Sequence, residues 1–168
     1  MTHTITREFL RQHGACYYNE DNGETKVDAL VPPEGLSPLQ VARLAIPAQD
    51  RVWVLTRNGA LTDSASWEWS ARIVERCLAA VNNPDPRSLA VVPLLRRLAS
   101  GESVPQFDLA AAWEAARAAA WAADSEAAWA ADSAAAWAAA WAADSAAAWA
   151  AERDRQIADI IEILEAQP

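Results

Sequence analysis

Lysine is almost missing from this 168-residue chain: Lys26 is the single one among 14 basic side chains, and arginine supplies the rest. That bias fits a GC-rich genome and is silent about mechanism. Histidine is nearly as scarce, with only His3 and His13, both near the N-terminus. His13-x-x-Cys16 has no second pair of ligands, so no metal site is expected. The two cysteines, Cys16 and Cys77, are isolated, which excludes a disulfide framework and points to reduced, structural thiols. With five glycines there is no glycine-rich phosphate loop, and HExxH, GxSxG and CxxC are all absent. The expectation is a protein that is not an enzyme and carries no cofactor.

Long uncharged apolar runs are missing too. The N-terminal stretch MTHTITREFLRQHG has charges where a signal peptide needs an apolar core. The one tract long enough to span a bilayer is interrupted by Asp124, Asp132 and Asp144. A soluble, cytoplasmic protein with no membrane partner is expected.

What the chain does contain is alanine, tryptophan and acid. Hydrophobic types reach 52%, a figure swollen by alanine, and nine tryptophans carry most of the packing capacity. Truncating a buried one typically costs about 3–5 kcal/mol. The net charge of −9 is uneven: residues 1–108 hold 11 basic and 13 acidic side chains, while residues 109–168 hold 3 and 10, a balance of −7. Phosphates would be repelled by the second part, which argues against direct contact with nucleic acid and for a basic protein surface.

Helix signals run through the front part. Residues 6–13 read as a short capped helix ending at Gly14. Residues 14–35 are turn-rich and read as loop, with a short extended piece at 25–31. Ser37-Pro38 starts a helix that Leu39, Val41, Ala42 and Leu44 carry to Pro47. Residues 50–57, closed by Asn58-Gly59, suit strand or helix. Helix is preferred because no neighbouring segment offers a partner strand. Residues 63–81 form an amphipathic helix capped by Asp63 or Ser64, with Trp67, Val74, Leu78 and Val81 on one face beside Ile73 and Cys77. Asn82-Asn83-Pro84 stops it. Asp85-Pro86 opens the next, whose apolar face is Leu89, Val92, Leu95 and Leu98; Pro93 should kink it and Gly101 end it. The expected fold is all-α. A small globular helical domain covers 1–107, and a long alanine/tryptophan-repeat helix or helical array covers 108–168.

From 109 to 167 there is neither glycine nor proline, and 27 of the 42 residues 110–151 are alanine, the best helix former. The repeat is a tetrad: every fourth position from Trp113 reads Trp, Arg, Trp, Ser, Trp, Ser, Trp, Trp, Ser, Trp as far as Trp149. Each tetrad drifts about 40° on a helix, so nine tetrads wind the stripe about once around the rod. A straight helix could not lay Trp113, Trp121, Trp129, Trp137, Trp141 and Trp149 on one flat partner. The drift also differs in sense from that of a coiled-coil heptad. Three arrangements resolve this. One rod, about 85 Å long if unbroken, is embraced by other elements or a second copy. Alternatively, the Asp-Ser pairs at 124–125, 132–133 and 144–145 cap short antiparallel helices. Or over-wide turns hold the stripe to one side. A long helix, bent or interrupted at one Asp-Ser step, is preferred. Its last turns carry Ile157, Ile160, Ile161 and Leu164 on one face.

The tryptophans can fill holes between closely packed alanine helices, or project as anchors for a partner. Asp124, Glu126, Asp132 and Asp144 form an acidic face with no companion base or nucleophile, so a solvated or capping role is expected of them. An alanine-rich ice-binding face is disfavoured because the bulky indoles would interrupt it.

Two stretches carry a likeness. One is SARIVERCLAAV followed by NPDPRSLAVVPLLRRLASGES. The other is the tract AAAWEAARAAAWAADSEAAWAADSAAAWAAAW, ending in ERDRQIADIIEILE. Over nearly its whole length the chain resembles a family of bacterial and phage helical proteins rich in alanine and tryptophan, some described as immunity proteins. The resemblance implies a helical fold, no established activity and no catalytic residues. In look-alikes the array more often carries arginine between tryptophans; serine and aspartate stand there in this chain and make the rod acidic. The expected function is a protein-interaction module: an immunity protein, or a phage-encoded inhibitor that blocks a toxin or a host-defence (anti-phage, CRISPR-type) nuclease. A structural helical protein that self-assembles into oligomers is the alternative.

Overall fold

A computed structural model describes residues 4–19, 23–79, 86–105, 110, 111, 114 and 137–167. Among them the regular structure is α-helical: α1 (Arg7–Gln12), α2 (Gly23–Leu30), α3 (Pro38–Ala42), α4 (Ala48–Leu55), α5 (Asp63–Ala79), α6 (Pro86–Leu89), α7 (Val91–Ala99) and α8 (Trp137–Glu165). A 3₁₀ turn covers Cys16–Asn19, and an isolated antiparallel bridge joins Ile5 to Leu36. No helix among the described residues is long and apolar enough to cross a membrane. The chain divides into two compact units, Met1–Ala65 with Arg153–Pro168, and Ser66–Glu152. The boundary expected at 107–108 lies outside the described residues.

In the first unit Thr6 caps α1, its Oγ1 accepting from the Phe9 amide at 3.1 Å, and Gly14 at φ 69° follows the helix end. The segment expected to be loop with an extended piece holds α2 instead. Val27 and Val31 stand one turn apart and are both buried, with Leu30 half-buried beside them, a helical spacing that turn residues on either side obscured. The end of α2 is also held from a distance. Arg7 donates to the carbonyls of Val31 (2.7 Å) and Asp28 (3.1 Å) and pairs with the Asp28 carboxylate, placing a cation where helix carbonyls lack amide partners.

Ser37 and Gln40 close a capping box on α3. The helix stops at Arg43, short of Pro47, and Arg51 reaches back from α4 to the Ala42 carbonyl at 2.9 Å. The helix reading of residues 50–57 holds in α4, which buries Val54 and Leu55. The last turns of α8 supply Ile157, Ile160 and Ile163, all buried. Ile161 and Leu164, expected on that face, are only half-buried, because the buried row runs at intervals of three residues. Polar ties accompany it: Arg43 with Glu165, and Arg153 Nη1 donating to Gln49 Oε1 at 3.1 Å.

In the second unit Ala71, Val91 and Leu95 form the core, with Trp67 and Val74 packed against it. Trp69 is buried as well. The start of α5 is capped one residue earlier than expected, by Thr62, whose Oγ1 accepts from the Ala65 amide at 3.2 Å. Val81 and the Asn82–Pro84 stop lie outside the described residues. The helix expected to kink at Pro93 breaks at Ala90 instead, leaving Leu89 exposed. Restarting at Val91 puts Pro93 in the first turn of α7, where its missing N–H removes no helical bond. Gly101, at φ 83°, ends α7: its amide donates to Leu98 O at 3.0 Å and that of Glu102 to Arg97 O at 2.9 Å, a Schellman pair.

Ile160 is fully buried, so Ile160→Ala should lower the unfolding free energy by about 2–5 kcal/mol in urea titrations. Gly35 has φ 81°, and a Cβ there would lie 2.6 Å from Thr4 Cγ2, whereas one at Gly14 meets nothing within 4 Å. Gly35→Ala should therefore cost more than about 1 kcal/mol and exceed the cost of Gly14→Ala in the same titration.

Candidate functional site

Within the described residues the alanine/tryptophan tract is represented mainly by α8. The Asp144-Ser145 step lies inside this helix and does not break it. Both residues are weak helix formers, but their alanine neighbours have the highest propensity of all. Trp137, Trp141 and Trp149 occupy positions 0, 4 and 12 of the helix, at angles of about 0°, 40° and 120° around its axis. Asp144 falls within about 20° of the Trp137 position. Trp113, Trp121, Trp129, Asp124, Glu126 and Asp132 lie outside the described residues.

Trp149 is 63% exposed, and Ala147, Ala148, Ala150 and Ala151 around it are exposed too. Five successive residues sweep about 400° of a helix, more than a full turn. Among the described residues no face of α8 is therefore packed at this level. Exposed indole on an alanine surface offers apolar area whose removal from water is favourable by roughly 25 cal/mol per Å². One turn further on, packing begins: Glu152 pairs with Arg76 of α5 at 2.9 Å, with both side chains largely covered. The stripe thus ends where the helix is clamped.

A second concave feature, not anticipated from sequence, lies in the first unit. It is a cavity of about 250 Å³ among α1, the 3₁₀ turn, α2, α3 and α4. Its wall is mostly aliphatic, with the Trp53 indole on one side. Cys16, Tyr17, Gln49 and Asp50 provide the polar part. Tyr17 donates its phenolic hydrogen to Asp50 Oδ2 at 2.5 Å. Cys16 is a free thiol and exposed, so it is not the packed structural cysteine expected of it. These residues escaped notice because the segment before α2 reads as turns. The usable signal was Val27, Leu30 and Val31 at helical spacing, which makes the preceding Cys16-Tyr17 a helix-flanking pair.

Among the described residues no three His, Cys, Asp or Glu side chains gather in a way that could hold a metal ion. Comparison of the chain with family models, with curated proteins and with solved structures finds no match.

The exposure of Trp149 has a spectroscopic consequence. Trp149→Phe should blue-shift the composite emission and reduce the fraction quenched by acrylamide. Unchanged quenching would mean that this indole is covered in solution.

Proposed function

We propose that the protein is a non-enzymatic interaction module, an immunity protein or phage-encoded inhibitor, which uses its alanine/tryptophan helix to dock on a toxin or defence nuclease. The observation that carries this reading is Trp149, largely exposed on a stretch of helix with no packed face. Indoles ringed by small side chains are suited to act as anchors, because the partner can close around them and exclude water. Charge supplies the choice of partner. The excess of seven negative charges over residues 109–168 steers the helix towards a basic surface, such as the groove by which a nuclease holds its substrate.

The test is capture from cells that contain a bacterial toxin or defence nuclease. Wild-type protein should retain a basic protein through moderate salt, and Trp149→Ala should weaken that binding by about 2 kcal/mol or more. Recovery of nothing that survives salt would sink the reading. So would a concentration-dependent dimer with blue-shifted emission, which is the signature of self-assembly through the same indoles.

A further inference from the structure

We infer that the cavity of the first unit is a binding site for a small organic amine, a molecule with an apolar body of about two fused rings and a single ammonium group. The inference stands apart from the docking role of α8 and uses none of its residues.

Size sets the body of the ligand. An apolar cavity of about 150 Å³ accommodates benzene, so 250 Å³ has room for a bicyclic ring system. The wall suits such a body, since aliphatic side chains surround it and Trp53 provides an aromatic face.

Charge sets its head. Asp50 is the one formally charged residue in the lining, and it is half-buried. Its hydrogen-bond partner is a neutral phenol, Tyr17, through Oδ2. Among the described residues no cation pairs with this carboxylate, although three arginines lie on or just beyond α3 and α4. Each of those is committed elsewhere: Arg43 to Glu165, Arg51 to the Ala42 carbonyl, and Arg57 to the Trp53 carbonyl and over its ring. A carboxylate at the edge of an apolar cavity loses hydration without gaining a counter-charge. An ammonium group supplies that charge and a short, charge-assisted hydrogen bond to the carboxylate. A carboxylate ligand would meet like charge at the same place, and a neutral alcohol would leave the Asp50 charge unmatched.

Cys16 provides a reporter, since its thiol is exposed and part of the lining. The experiment is calorimetric titration of the full chain with tryptamine, tryptophol and indole-3-acetate, which share one ring system and differ in the head group. Iodoacetamide alkylation of Cys16 is followed in parallel by peptide mapping, which separates it from Cys77. The expected result is one-to-one binding of tryptamine at least tenfold tighter than either comparison compound, with Cys16 alkylation slowed at saturating amine. Asp50→Asn, which keeps the shape and removes the charge, should erase the preference while the far-UV spectrum is unchanged. If that variant does not fold, the three-ligand comparison and Cys16 protection on the wild-type chain decide the matter alone. Failure of tryptamine to bind, equal or tighter binding of indole-3-acetate, or amine binding that leaves Cys16 unprotected would each overturn the site.

Discussion

Helices of four to nine residues do not hold themselves in water, and six of the eight helices among the described residues are that short. In the first unit their cohesion depends on the apolar row Ile157, Ile160 and Ile163. The end of a long helix presents this row among elements drawn from the first 65 residues. The burial is nearly complete at all three positions, so the end of α8 contributes apolar cover that the short helices of this unit lack individually. Polar ties from Arg43 and Arg153 register the rod without carrying much of its stability, since exposed ion pairs contribute little.

The short helices are also terminated by specific chemistry. Thr6, Ser37 and Thr62 cap three N-termini, and Arg7 and Arg51 occupy carbonyls at the ends of α2 and α3. Arginine suits the second task because its planar fork reaches two carbonyls at once, as Arg7 does. The near-absence of lysine thus has a structural counterpart in this unit.

The helical class and the caps at Thr6 and Ser37 were legible because they depend on near neighbours in the chain. Periodicity likewise exposed the apolar face of α7, whereas α4 was legible as helix only for want of a partner strand. What could not be read was decided by distant partners. Residues 25–31 become helical in a setting where Arg7 holds the far carbonyls. The stop at Ala90 frees Pro93 from a helix interior. Ile163 is buried where Ile161 is only half-buried, a choice set by what packs on the helix and not by its own periodicity. Of the candidate site, the exposure of Trp149 was left open by composition, since an indole serves a core or a surface equally well. The Tyr17–Asp50 cavity requires residues 33 positions apart in sequence, a juxtaposition that no local pattern encodes.

The chain presents two candidate recognition features, an outward indole on an alanine helix and an inward pocket with one carboxylate. The first relies on area and the second on charge. Neither needs a metal or a nucleophile for the role argued for it.

The pairing of residues 1–65 with 153–168 also dictates an order of events. During synthesis the isoleucine row that shares their unit leaves the ribosome well after residues 1–65 have emerged. The intervening 87 residues, 66–152, are by then available to fold as a unit of their own. Contacts that join residues 1–65 to residues 153–168 therefore carry the loop-closure cost of a wide sequence separation, which slows the completion of their unit.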